Sequence, residues 1–225
     1  MNRLFVFDVD QAEAAGCSPV VAGADEAGRG ALAGPLVAAA VCFDYSDWRP
    51  EDYEALAGLN DSKQLKAERR EALFSEIVPR ARRIAVVLRS SFSIDERGLH
   101  RCNLDALAAA LASLAPPPAV ALVDGFALKG CCVPHQAVVG GDGRSAAVAA
   151  ASIVAKVTRD RLMRRLHERY PQWRFDQHVG YATPEHHQAI VSFGLCVLHR
   201  RSFNSVAYQQ LEVGWQPRGA PVDAE

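Results

Sequence analysis

Val20-Val21-Ala22-Gly23-Ala24-Asp25-Glu26-Ala27-Gly28-Arg29-Gly30 joins an apolar run to two adjacent acids and then to a glycine turn. The first five residues have the length and character of a short buried strand. Such strands do not ordinarily run into neighbouring carboxylates, because an unpaired charge is costly away from water. Two like charges held at a strand end repel each other, and a hard cation relieves that repulsion. Gly28-Arg29-Gly30 adds bare backbone for close approach and one guanidinium suited to phosphate. Acids for a metal, beside glycines and an arginine for phosphate, point to a nucleic-acid enzyme. The plainer reading, a solvated turn carrying surface charge, has to be weighed against the rest of the chain.

Outward from this stretch, residues 18–45 read as strand, glycine-rich turn and strand, the second strand being Pro35 to Phe43. Asp61-Ser62 is expected to cap a charged helix that ends near Pro79. Arg83 to Leu88 reads as a strand, and Ser93 with Glu96 as the capping box of a helix running to about Ala115. Pro116-Pro117-Pro118 then leads into the strand Ala119 to Val123, closed by Asp124-Gly125. Val138-Val139 is a further short strand, followed by Gly140-Gly141-Asp142-Gly143 and a long helix from Ser145 towards Tyr170. Thr183-Pro184-Glu185 starts another helix, with Thr as cap and Pro in the first turn. A last helical piece is expected near Ser202 to Leu211. Strands first, then strands alternating with helices, predict an α/β fold with a mixed sheet flanked by helices. The expected divisions are an unpatterned N-terminal segment (1–17), a catalytic domain (18–183), a C-terminal helical extension (184–212) and a disordered Gly/Pro-rich tail (213–225).

The chain has 225 residues, enough for one well-buried core, and 49% of them are hydrophobic, as in an ordinary globular protein. A net charge of −1 is uninformative about nucleic acid, because it averages over local patches such as Arg159, Arg161, Arg164, Arg165 and Arg169. No apolar stretch reaches the length of a membrane span, and acids interrupt the N-terminus too early for a signal peptide. The six cysteines contain no C-x-x-C pair, and a reducing cytoplasm is the expected compartment.

Asp124 closes an apolar strand just as Asp25 does. If those strands are parallel neighbours, both carboxylates emerge at one sheet edge, where open α/β sheets place their ligands. Asp142 lies in a glycine cluster at the start of a long helix, where an isolated acid is ordinarily a helix-entry residue. Four acids from three loops, Asp25, Glu26, Asp124 and Asp142, are harder to dismiss together. Carboxylates suit Mg²⁺ or Mn²⁺, and paired ions ~4 Å apart activate water and stabilise the leaving oxygen in phosphodiester cleavage. No His/Cys cluster of zinc spacing competes.

These residues resemble a known family, type 2 ribonuclease H (ribonuclease HII). The resemblance covers most of 18–206 and runs through Ala24 to Gly30, Leu59-Asn60-Asp61-Ser62-Lys63, Val123-Asp124-Gly125, Gly141-Asp142, Ala150 to Asp160, His178-Val179-Gly180-Tyr181 and His199-Arg200-Arg201-Ser202-Phe203. It implies a ribonuclease H-like fold, with Asp25, Glu26, Asp124 and Asp142 as metal-binding catalytic acids for Mg²⁺ or Mn²⁺. It implies that Gly28, Arg29 and Gly30 read the ribonucleotide through its 2′-OH, the group that separates RNA from DNA. Tyr181 then packs on the sugar at the ribo–deoxyribo junction. Asn60, Ser62, Lys63, Arg200, Arg201 and Ser202 fall at phosphate-contacting positions, which orient a duplex without reading its sequence. Lys156 and Arg159 lie on the helix that begins beside Asp142, where a structural role is equally natural. The implied partners are an RNA–DNA hybrid and ribonucleotide-containing duplex DNA, with a monomeric protein, no membrane and no assignable clamp motif. Family members often carry lysine where Gly140, Gln64 and Val179 stand here, so affinity and its salt dependence are expected to differ.

Gly28-Arg29-Gly30-Ala31-Leu32-Ala33 also satisfies G-x-G-x-x-A, the mark of a dinucleotide-binding turn. That motif requires a helix at once after the glycines, whereas Gly34-Pro35 and a strand-like run follow here. A non-catalytic duplex-binding relative would be expected to lack at least one of the acids, and all four are present.

Overall fold

The computed structural model describes residues 2–60, 62 and 64–214. At its centre lies β1 (Val20–Ala27), antiparallel to β2 (Leu36–Asp44) on one side and parallel to β4 (Val120–Asp124) on the other. β3 (Arg83–Arg89) and β5 (Gln136–Val138) complete a mixed sheet of order β3-β2-β1-β4-β5. β2 is buried from Leu36 to Phe43, which explains its uninterrupted apolar sequence. The chain passes from Gly30 into β2 with no intervening helix, so the dinucleotide reading fails on its own structural requirement.

The period-two alternation of strands decides which layer each β1 side chain meets. Val21 faces the layer of α6 (Ala146–Arg169), α3 (Ala67–Arg80) and α1 (Arg3–Ala14), while Ala22 and Ala24 face α4 (Ser91–Arg97) and α5 (Leu99–Ala112). Gly23 is the point of closest approach on the α6 side. A Cβ there would collide with the Ala147–Val148 backbone, and the alanine-rich start of α6 leaves room for that contact. Ser145 caps α6 by accepting from the Val148 amide at 3.2 Å.

α1 was not expected, because Asp8 and Asp10 interrupt its apolar pattern. Asp8 is nevertheless wholly buried, accepting from the Tyr45 hydroxyl at 2.6 Å and from the Ala147 amide at 2.9 Å. Burial pushes its carboxyl up to about 6, against the opposing effect of those bonds. Phe5 of the same helix packs edge-on against Tyr45, Trp48 and Tyr53 beside α2 (Pro50–Ala55).

Three helix boundaries differ from expectation. α3 starts at Ala67, beyond the expected cap: Asp61 lies outside the described residues, the Ser62 hydroxyl is engaged by Ser152, and Pro79 lies inside the helix's last turn. The single helix expected from Ser93 is two, α4 and α5, parted by Gly98 at φ +82°. Its cap is Ser90, which accepts from the Ser93 amide at 3.1 Å. The last helix, α9 (Val206–Gly214), begins beyond Ser202, whose hydroxyl donates to Asp95. α7 (Phe175–His178) and α8 (Pro184–Phe193) precede it, and Thr183 caps α8 as its sequence predicts. The tail expected to be disordered lies, from residue 215 on, outside the described residues. Among the described residues no helix is long and apolar enough to cross a membrane.

Candidate active site

Parallel pairing of β1 with β4 runs in register up to Ala24 beside Val123, and the next residues, Asp25 (still paired with Ala39 of β2) and Asp124 (paired with Val138 of β5), come together where the two strands part. Asp25 falls on the α6 side, where Ser152 hydrogen-bonds it, and Glu26 falls on the α5 side, beside Asn103. Asp25 is only 4% exposed. Burial, the Glu26 charge and the Asp124 charge hold its carboxyl well above the ordinary value, against bonds from Ser152 and the Glu26 amide. Glu26 is also raised, chiefly by burial, although Arg29 lies 3.3 Å away and favours the charged form. Asn103 favours it too, from near contact rather than through a formed hydrogen bond.

Asp124 accepts the Gly141 amide at 2.7 Å, which ties the β4 end to the single 3₁₀ turn Gly141–Gly143 that carries Asp142. Asp142 is buried within that turn, and its side chain does not line the groove described next. Asp25, Glu26 and Asp124 therefore couple electrostatically at one edge, and the Asp124–Gly141 bond holds the turn that carries Asp142 beside them. Among the described residues no three His, Cys, Asp or Glu side chains are arranged to close on one ion. The donor set is nonetheless all carboxylate, and its mutual repulsion is of the kind a hard divalent cation relieves.

Asp25, Glu26 and Asp124 open on a groove of about 730 Å³. Gly28, Arg29 and Gly30 line it, as do Ser62, Tyr181, Lys156, Arg70 and Phe203. Gly28 sits at φ +93° with the Arg159 side chain where a Cβ would be, so only glycine is accommodated. Gly30 is exposed, and nothing lies within 4 Å of its would-be Cβ, leaving its backbone open to an incoming molecule. The Tyr181 ring lies beneath two cations, with the Lys156 ammonium 4.9 Å and the Arg159 guanidinium 5.1 Å from its centroid.

The expected phosphate-contacting residues divide. Ser62 lines the groove and is bonded at 2.7 Å to the Ser152 hydroxyl, so Ser62, Ser152 and Asp25 form one chain of contacts. Asn60 lines a different hollow, beside Asn2 and Leu4. Lys63 lies outside the described residues. Against the raising effect of burial, the Ser202 hydroxyl and the Ser202 and Arg201 amides all donate to Asp95, which lowers its carboxyl and holds this loop. The Arg201 side chain is exposed. Arg200 is at odds with a phosphate contact. It is wholly buried, donating to the Gly34 carbonyl at 3.0 and 3.1 Å and to the Arg29 carbonyl at 2.8 Å. Its guanidinium supports the glycine turn from behind. Arg159 is similarly structural, donating to the Ala33, Pro35 and Val179 carbonyls. Of the positions lacking the usual lysine, Gly140 and Val179 both occupy left-handed backbone, at φ +64° and +44°.

Ser152, Asn103 and Arg70 were not singled out for a role from the sequence. Ser152 and Asn103 were findable in principle, since each is a polar residue among the buried positions of its helix. Arg70 reads as surface charge until its bond to the Ser62 carbonyl, at 3.0 Å, is seen.

Sheet order and acid edge together define a protein of ribonuclease H-like fold. A ribonuclease H2 from Pyrococcus horikoshii OT3 superposes with a TM-score of 0.69 at 30% identity, over 86% of this chain and 97% of that one. A ribonuclease HII from Geobacillus kaustophilus is 50% identical over 186 residues, 83% of this chain and 68% of that protein. One from Xanthomonas campestris pv. campestris is 45% identical over 211 residues, 92% and 85% of the two chains. The family model described as Ribonuclease HII matches residues 22–206, and the chain belongs to that family. It is accordingly a ribonuclease H, an endonuclease of the hydrolase class acting on RNA–DNA hybrids.

Proposed function

We propose that this chain, in a reaction requiring Mg²⁺ or Mn²⁺, hydrolyses the RNA strand of hybrids and cuts duplex DNA on the 5′ side of an embedded ribonucleotide. The products are a 3′-hydroxyl and a 5′-phosphate, with the ribonucleotide left on the 5′-phosphate end. The observation that carries this reading is the convergence of Asp25, Glu26 and Asp124 at one buried edge of a groove that also holds Gly28, Gly30 and Tyr181. Asp25, Glu26, Asp124 and Asp142 are the residues that would hold the metal. When bound, divalent ions supply an activated water and neutralise charge on the leaving oxygen.

The chain's own residues do the rest. Ser152 and the Glu26 amide hold the Asp25 carboxylate in place, and the Gly141 amide does the same for Asp124. Gly30 lets the main chain come within reach of a ribose 2′-OH, which is a recognition handle here and not the attacking group. Tyr181 is offered as a flat surface for the adjoining deoxyribose. Ser62, Arg201 and Ser202 remain candidates for phosphate contacts, as do Asn60 and Lys63. Arg200 is reassigned to positioning the Gly28–Gly30 turn, its donors being spent on carbonyls.

The test is cleavage of a DNA duplex carrying one internal ribonucleotide, with the products mapped to the nucleotide. A single cut 5′ of that residue, abolished reversibly by chelation, is expected. A 2′,3′-cyclic phosphate end, or equal cutting of an all-DNA duplex, would rule the mechanism out.

A further inference from the structure

Behind Tyr181 three histidines are buried together, and none of them belongs to the acid edge. His178 and His186 stack with centroids 4.3 Å apart and planes 16° from parallel. The His186 and His199 rings meet through their Nε2 atoms at 3.2 Å. His186 Nδ1 lies 2.9 Å from the Tyr181 carbonyl, and the Cys196 amide donates to His199 Nδ1 at 3.0 Å. His178 Nδ1 accepts the Gly180 amide, and its Nε2 faces the Trp173 carbonyl at 2.8 Å.

These partners leave one arrangement of protons. A carbonyl only accepts, so His186 carries its proton on Nδ1 and its neutral ring offers Nε2 as an acceptor. His199 must then donate from Nε2, which agrees with its Nδ1 accepting an amide. His178 donates from Nε2 by the same reasoning. The result is a directed relay from the Cys196 amide through His199 and His186 to the Tyr181 carbonyl. A charged His186 would set two N–H groups against each other across the 3.2 Å contact, so the relay requires neutral rings.

We propose that His186 and His199 are positioning residues for substrate recognition: their proton-ordered pair pins the Tyr181 backbone and so fixes the ring at the groove. This rests on the reading of Tyr181 as a sugar-packing residue. The Thr183 amide also donates to the Tyr181 carbonyl, at 2.9 Å, but that bond is local to the turn. The histidine pair is what connects the turn to the Cys196–His199 loop. Gly180 supports the same geometry from below, its carbonyl accepting the Leu32 and Ala33 amides.

Two measurements test this. Long-range ¹H–¹⁵N spectra of histidine-labelled full-length protein at pH 7 read the tautomers without reference to activity. His186 is expected as the Nδ1–H form, and His199 and His178 as Nε2–H forms. An Nε2–H or charged His186 overturns the relay. The second measurement is the ratio of cleavage at a single embedded ribonucleotide to cleavage of a long RNA–DNA hybrid. His199→Leu should lower that ratio about tenfold, the scale of one lost hydrogen bond. His199→Gln, whose amide can donate from the Nε2 position, should restore it. In a Tyr181→Ala background His199→Leu should have no further effect on the ratio. An equal effect in both backgrounds overturns the positioning role. If Tyr181→Ala alone leaves the ratio unchanged, the sugar-packing reading of Tyr181 fails, and the tautomer spectra still decide the relay. Should His199→Leu not fold, the wild-type spectra keep the proposal open to refutation.

Discussion

The acid edge and the Tyr181 wall face one groove and solve burial in opposite ways. At the acid edge like charges are held together, with Asp25 pressed upward by burial, Glu26 and Asp124, and with Arg29 paired to Glu26. Around Tyr181 the polar groups are paired off: Arg159 and Arg200 spend their donors on main-chain carbonyls, and the histidines are neutral and proton-matched. One wall is left electrostatically incomplete and so is ready to take a cation. The other is completed internally and so is rigid enough to present a ring. Function and stability should therefore respond separately to changes in the two.

The largest expected effect is catalytic. Asp124→Asn or Asp142→Asn should lower cleavage at least ~10³-fold, as loss of an essential catalytic group does. The metal-free melting temperature should stay level or rise, because one repelling charge has gone. Near-normal turnover in ordinary Mg²⁺ would remove either residue from the site.

A change on the opposite wall should cost stability first. Arg200→Met orphans the Gly34 and Arg29 carbonyls in a buried place, and urea unfolding should show a loss of about 3 kcal/mol. A loss below ~0.5 kcal/mol would mean that Arg200 is not the support described.

The pH dependence of stability should separate the walls as well. Burial depresses His186 to about 3 and His199 to about 4. A group whose folded pKa lies below its unfolded value gives stability that is full above about 6.5 and is lost as pH falls towards the folded value. Each should withdraw roughly 1–2 kcal/mol between pH 7 and 5. His178, His187 and Cys196 face this pair, with Asp176, Glu185 and Arg174 around His178. Asp8, raised to about 6, acts in the opposite sense, its contribution being lost as pH rises through 6. Urea melts of His199→Gln beside wild type isolate the histidine part, and the variant should decline less steeply below pH 6.5. Parallel curves would show that His199 does not titrate in this way.

The smallest stability effect should come from Gly30. Gly30→Ala meets no atom within 4 Å and should leave stability within about 0.5 kcal/mol while weakening cleavage of ribonucleotide substrates. Gly28→Ala, two residues earlier, collides with Arg159 at φ +93° and should destabilise the fold outright. If the two variants melted alike, the distinction between an open and an occupied glycine would be lost.

What could be read beforehand follows from how local each feature is. β1, β2 and β4 announce themselves as apolar runs, and Asp25 and Asp124 are conspicuous because acids close two of them. Thr183 and Ser145 cap their helices by contacts spanning three residues, so both starts are legible. Ser93 with Glu96 misled because the pattern of a capping box is satisfied without its hydrogen bonds, Ser90 being the true cap. Ser152 and Asn103 stand out in the sequence only as polar residues on buried helices, and the histidine trio cannot be read as a site at all. Their partners lie on other elements, and only the packing of α5 on Glu26, α6 on Asp25 and α8 on Tyr181 brings them into use. Arg200 misled for the same reason, since a cation in a motif looks exposed until its carbonyl partners are in place.

Asp8 bears on the order in which this chain is assembled. Its bond to the Ala147 amide spans 139 positions, and its bond to the Tyr45 hydroxyl spans 37. Contacts so distant along the chain form only after the intervening loop has been closed, a cost that grows with its length. α1 therefore has to wait for the start of α6 before the second of these bonds can form. Until then only the nearer partners, Tyr45, Trp48 and Tyr53, are at hand to hold the helix through Phe5 and Asp8, so α1 is docked in two stages separated by about a hundred residues of chain.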